Sequence, residues 1–285
     1  METKIINITD SEFSQTETPL SQALKRLGFD GYEVQIAEAL QACEQMNPPA
    51  TPRTVLAMAL AAVIRIRDSH KCEMRLKMAR FPSLKTLEEF DFSVFSDERI
   101  GVRVRELATG YYIREHFNIL IHGATGLGKT HLSISLGIRA TQQAYSTLFI
   151  EAKDLFAKLE TAIRNGTYDS KVRSIQRHDL LIIDDFGAMI VPNPLHARIF
   201  CDLMKGRAGK KSTIINSSRE IGAWKDAFGG SSPDVRSATE RFLFHCHDIE
   251  LSGSSFRVAN FLKQREEEWG CSDPGAFSDL SKPKE

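Results

Sequence analysis

Cysteine is scarce in this chain and scattered. The five cysteines, Cys43, Cys72, Cys201, Cys246 and Cys271, are odd in number and free of any CxxC spacing. That argues against a disulfide framework or a zinc knuckle and fits a reducing cytoplasm. Net charge is missing as well: 37 Lys and Arg stand against 37 Asp and Glu over 285 residues. No overall field draws the chain onto nucleic acid or membrane, so a charged partner has to be met by a local patch. No apolar run reaches the length of a membrane span; the longest, Val55 to Ile64, is about half of one. The opening METKIINITDSEFSQTE is polar and acidic, unlike a signal peptide, and a cytoplasmic location is expected. No internal repeat is found.

What is present falls into two parts. Leu20, Leu24 and Leu27 recur at helical spacing after Pro19 and stop at Gly28, and Ile36, Leu40 and Cys43 repeat the pattern. NPPATP at 47–52 is a break, after which helix formers run from about Arg53 to Arg80, just before Pro82. Residues 1–80 are thus expected to be a small all-helical domain, with 1–16 fraying. Residues 81–97 read as a linker apolar enough to pack on something. From 98 to 258 short β-rich runs at 117–122, 147–151, 179–184, 212–217 and 247–251 alternate with helical stretches at 98–114, 130–143, 153–177, 194–208 and 233–243. This alternation predicts an α/β domain with a covered parallel sheet. Residues 259–285 form a tail expected to be partly disordered.

The first strand runs into HGATGLGKTHLSISLG, which holds Gly, four residues, Gly, Lys, Thr between a strand and a helix. Glycines let the backbone aim successive N–H groups at one anion, and the helix N-terminus adds its positive end. The candidate cradle comprises Gly123, Ala124, Thr125, Gly126, Leu127, Gly128, Lys129, Thr130 and His131. Lys129 is expected to reach the β- and γ-phosphates of a nucleotide, and Thr130 to ligate Mg²⁺. DLLIIDDFG supplies a second element, a buried strand ending in Asp184 and Asp185, where open α/β sheets place their ligands. Asp184 is expected to hold Mg²⁺ and Asp185 to orient or deprotonate the attacking water. His245, Cys246 and His247 do not read as a metal site, because strand alternation parts the cysteine from the two histidines.

These motifs, with RLKMARFPSLKTLEEFDF before them and DIELSGSSFR after them, resemble the IstB-like ATPases, AAA+ helper proteins of insertion-sequence transposons related to the DnaC-type helicase loaders. The likeness runs from about Leu20 to about Arg257. It implies an AAA+ P-loop NTPase with a five-stranded parallel sheet in the order 5-1-4-3-2. It also implies a homo-oligomer with ATP at subunit interfaces, double-stranded DNA as ligand and a transposase as partner. In ATERFLFH, Arg241 matches the arginine finger that completes the neighbouring subunit's site. Arg257 in GSSFR matches the second-sensor arginine. In KKSTIINSSREIGAW the γ-phosphate sensor, usually Asn or Gln, is Ser218; Asn216, two residues earlier on the same strand face, is the alternative. Asp185 is one methylene shorter than the Glu often found there, which points to slow hydrolysis. In initiator and loader ATPases an extra helix between the second and third strands faces DNA. Here that segment carries Lys158, Arg164, Lys171, Arg173 and Arg177, which either contact DNA phosphates or form a solvated face. Arg67, Lys71 and Arg75 form a second basic stripe for DNA, a transposase or nothing, while Phe90 and Phe92 either cover the adenine or pack.

Three rival readings stand beside transposition. A helicase loader would hold a replicative helicase and prefer single strands. A nucleotide-binding scaffold, suggested by Asp185 and Ser218, would bind ATP with little turnover. A small-molecule P-loop kinase lacks the lid-like run of arginines after the sheet.

Overall fold

The computed structural model describes residues 19–256 apart from 27, 29, 30, 96, 98, 187–192, 229, 231, 232 and 254. The stretch expected to fray, Arg257 and the tail lie outside the described residues. The chain divides into two compact units, Met1–Glu73 and Met74–Glu285.

The first unit is helical. α1 (Pro19–Arg26), α2 (Glu33–Glu44) and the first part of α3 (Pro52–Ala79) gather Leu24, Ile36 and Val63 into one buried cluster. Tyr32, Leu40 and Ala59 pack against it. Pro52 opens α3 at a position where a missing N–H costs no hydrogen bond. Thr51 Oγ1 accepts the Thr54 amide at 3.2 Å, satisfying another of the helix's unpaired donors.

In the second unit α4 (Arg99–Leu107) and α5 (Tyr111–Arg114) precede β1 (Asn118–Gly123) and α6 (Lys129–Gln142). There follow β2 (Thr147–Glu151), α7 (Ala152–Arg164), α8 (Tyr168–Gln176), β3 (Leu180–Phe186) and α9 (Pro194–Arg207). The unit continues with β4 (Ser212–Ser217), α10 (Trp224–Ala227), α11 (Pro233–Leu243) and β5 (Cys246–Leu251). All pairings are parallel and the order is β5-β1-β4-β3-β2, the order that the resemblance implies. Two of the helical stretches are divided: the one over 153–177, long enough for two helices, is α7 and α8, parted at Gly166 with φ 67°. The helix read over 98–114 is also two, because Gly110 takes φ 78° and turns the chain between α4 and α5.

Strand alternation sorts the core into two layers. Leu120, Leu181, Ile183 and Ile215 face Phe156, Phe200, Trp224 and Phe242. Ile119, Ile121, Ile182 and Ile214 face Val104, Leu132 and Leu136. With both faces covered, β3 reads as the continuous run Leu180–Ile183, every side chain fully buried. Each such burial stabilises the fold by roughly 1.5–3 kcal/mol. One buried cation ties two elements together. Arg207 at the end of α9 donates to Thr213 Oγ1 at 3.0 Å and to the carbonyls of Gln176 at 3.2 Å, His178 at 2.9 Å and Ser212. The parallel arrangement leaves the C-terminal ends of the strands, with Gly123, Glu151, Asp184 and Ser217, along one edge of the sheet. No helix among the described residues is long and apolar enough to cross a membrane.

Candidate nucleotide-binding site

At the end of β1 the chain turns through Ala124–Gly128 into α6. Gly128, the residue before the helix, has φ 83°, a left-handed conformation that glycine adopts without steric cost. The first turn of a helix carries backbone N–H groups without intrahelical acceptors, and its dipole is positive there. Lys129 starts α6 and folds its ammonium back onto the loop, donating to the carbonyls of Gly123 at 2.8 Å and Ala124 at 2.7 Å. Thr125 is exposed at the tip, whereas Leu127 is 2% exposed and belongs to the core beneath.

The acidic strand meets this loop directly. Thr130 Oγ1 donates to both oxygens of Asp184, at 2.9 and 3.1 Å. Asn216 Nδ2 donates to Asp184 Oδ1 at 2.6 Å. Asp184 is buried, while Asp185 beside it is exposed. Asp185 has φ 54° where the β3–β4 register shifts, strain of the sort that accumulates at functional sites. Glu151 at the end of β2 lies opposite Asp184 in register, so both side chains leave the same sheet face. Its carboxylate pairs with Lys153 at 2.8 Å. These groups, with exposed Ser218 just past β4, line a cleft of about 680 Å³.

Two segments close over the loop. His131 Nε2 lies 2.8 Å from the Thr86 carbonyl and Ser135 Oγ donates to the Lys85 carbonyl at 2.9 Å, fastening the linker to α6. Phe90, 7% exposed, packs edge-on against His131 and Phe256, and it also lines the cleft. Phe92 does not reach the cleft; the Arg105 guanidinium lies over its ring at 5.4 Å. From the other side the Phe256 amide donates to the Gly126 carbonyl at 3.0 Å; Arg257 lies outside the described residues.

Other sequence-derived candidates stand apart. Arg241 is on α11, half-buried, with Nη1 donating to Ser237 Oγ, and it does not line the cleft. Lys158 and Arg164 are on α7 and Lys171 and Arg173 on α8, with Arg177 just after it; all but Lys158 are exposed. Burial, then the charges of Arg80 and Lys171, push the half-buried Lys158 below the ordinary lysine value. Arg67 and Lys71 are exposed on α3 and Arg75 is half-buried. His247 is held by Tyr111 Oη at 3.0 Å and His245 stacks on Phe117, and no group of three metal-ligating side chains occurs among the described residues.

A family model described as IstB-like ATP binding protein matches residues 22–265. The chain belongs to this family. Among its IstB-like relatives, the insertion sequence IS5376 ATP-binding protein of Geobacillus stearothermophilus is 32% identical over 211 residues, covering 73% of this chain and 82% of that protein. Solved structures show the same AAA+ fold. The replication initiator DnaA bound to AMPPCP and single-stranded DNA matches at TM-score 0.52 with 20% identity, over 70% of this chain and 60% of that one. The DnaC helicase loader matches at TM-score 0.51 with 18% identity, over 60% of this chain and 98% of that one. In this IstB-like chain, two polar side chains near the cleft carry no mark in the sequence pattern. Ser133 looks like an ordinary helix residue and Glu151 like the polar end of a strand; only the contact with Asn216 and the register with Asp184 single them out.

Proposed function

We propose that the chain binds ATP with Mg²⁺ in this cleft, hydrolyses it, and uses the cycle to assemble on double-stranded DNA as a homo-oligomer that assists a transposase. The observation that carries nucleotide binding is the contact of Thr130 with Asp184 beside Lys129 and the α6 N-terminus. A hydroxyl and a carboxylate are hard oxygen donors of the kind Mg²⁺ takes, so the residues present fit the ion; Thr130 and Asp184 would hold it. Once bound it would neutralise phosphate charge. Lys129 exchanges its loop carbonyls for the β- and γ-phosphates. Asp185, exposed on the cleft, orients the attacking water or takes its proton. Arg241, away from its own cleft, serves a neighbouring subunit, while Arg257 serves its own. The insertion-sequence origin of the relatives supports transposition, and the cations of α7 and α8 support contact with DNA phosphates.

The test is particle size and ATP turnover with and without duplex DNA. The expected result is a large assembly with ATP and DNA together, abolished by Lys129→Ala and trapped by Asp185→Asn. Arg241→Ala should bind ATP yet neither assemble nor turn over. A wild type that binds ATP but stays small and indifferent to duplex DNA would sink the transposition reading and direct the search to single strands and a replicative helicase.

A further inference from the structure

Four residues form a closed hydrogen-bond circuit behind the phosphate loop. Thr130 Oγ1 donates to Asp184, and Asn216 Nδ2 donates both to Asp184 Oδ1 at 2.6 Å and to Ser133 Oγ at 2.7 Å. Ser133 Oγ closes the ring by donating to the Thr130 carbonyl at 3.0 Å. The members come from α6, β3 and β4, and Ser133 and Asn216 are 0% and 1% exposed. Chemistry fixes the direction of each bond. An ionised carboxylate only accepts, so the amide nitrogen faces Asp184. A hydroxyl that gives its single proton to the Thr130 carbonyl offers Asn216 only lone pairs. Both N–H bonds of the Asn216 amide are therefore committed. Its remaining polar atom, Oδ1, is a buried acceptor without a partner, which cannot donate to a phosphate oxygen.

We infer that Ser133 and Asn216 are positioning residues for the pair Thr130–Asp184, and that Asn216 does not read the γ-phosphate. This rests on the Mg²⁺–ATP reading above. With Mg²⁺ bound, Thr130 Oγ1 would offer the ion a lone pair while its proton still goes to Asp184, and the bond from Asn216 would hold the carboxylate in its rotamer. Ser133 in turn holds the amide. Outer partners of this kind change metal affinity by about ten- to a hundredfold when removed. Ser218, exposed on the cleft just beyond β4, is left as the polar group placed to meet the terminal phosphate.

The experiment is a Mg²⁺ titration of fluorescent ATP and ADP analogues binding to the full chain, with thermal melts to confirm folding. The variants are Ser133→Ala, Asn216→Ala, their double, and Asn216→Thr. Each alanine variant should raise the Mg²⁺ midpoint about tenfold. The double variant should be no worse than the worse single, because both act through one bridge. Asn216→Thr, which keeps one donor, should recover part of the loss. Affinity without Mg²⁺ and the preference for ATP over ADP should not change. If Asn216→Ala leaves the midpoint in place and instead erases the ATP preference, Asn216 senses the γ-phosphate and the inference is overturned. A wild type without any Mg²⁺-dependent nucleotide binding would overturn the underlying ATP reading, a result distinct from any pattern among the variants.

Discussion

Phe90 occupies the space that any side chain on Gly128 would need. A Cβ on Gly128 would lie 2.7 Å from Phe90 Cε2, and the glycine also holds φ 83°. Gly128→Ala is therefore expected to cost about 1–2 kcal/mol in left-handed strain alone, with further loss from the clash and a collapse of ATP affinity. Adding Phe90→Ala removes the clash and leaves the strain, so stability should return only in part. Full recovery in thermal melts of the double variant would show that the backbone conformation does not matter.

Arg207 offers a test of the sheet's support. Arg207→Ala leaves the acceptors of Gln176, His178, Ser212 and Thr213 buried without their donor. The expected loss is about 3 kcal/mol, measured by urea unfolding. Arg207→Lys should recover little, since an ammonium on a flexible stem cannot reproduce the planar fork. A loss below about 1 kcal/mol would mean that water replaces the guanidinium, contrary to the burial penalty expected for such groups.

Acid should weaken the second unit through His247. Desolvation, then Arg103, lowers its pKa below the ordinary histidine value. The unfolded chain therefore binds the proton more readily than the folded one. Stability from this group is present above the unfolded pKa, near 6.5, and is lost as pH falls toward the folded pKa. Melting temperature should drop over that interval, and His247→Gln should flatten the drop. An unchanged profile in the variant would place the acid sensitivity elsewhere.

The exposed cations of α8 and its end separate the two readings of that surface. If Lys171, Arg173 and Arg177 contact phosphates, their joint replacement by alanine weakens binding alike across DNA sequences. The slope of log affinity against log salt should then fall by about 0.9 for each contact removed. A variant with the wild-type slope would make the segment a solvated face.

Legibility in the sequence followed locality. The strands at 147–151 and 212–217 were readable to the residue, since each is a β-rich run bounded by turn or helix signals. The phosphate loop was readable because its parts are contiguous. The strand order came from the resemblance, as spacing carries no trace of which strands become neighbours. Gly110 was invisible as a helix break because a single glycine inside an apolar-periodic stretch is also compatible with an unbroken helix.

By itself the sequence determined the alternation of elements, the loop with Lys129 and Thr130, and the acidic end of β3, because apolar periodicity and contiguous motifs are written along the chain. Only the tertiary structure decided that Thr130 meets Asp184 across 54 residues and that Ser133 meets Asn216 across 83. It alone decided that Phe90 rather than Phe92 reaches the cleft, and that Arg241 does not line it. The reason is physical: hydrogen bonds and burial act over a few ångströms of space, and chain separations of this size leave no periodic signal of which groups the fold will bring within reach.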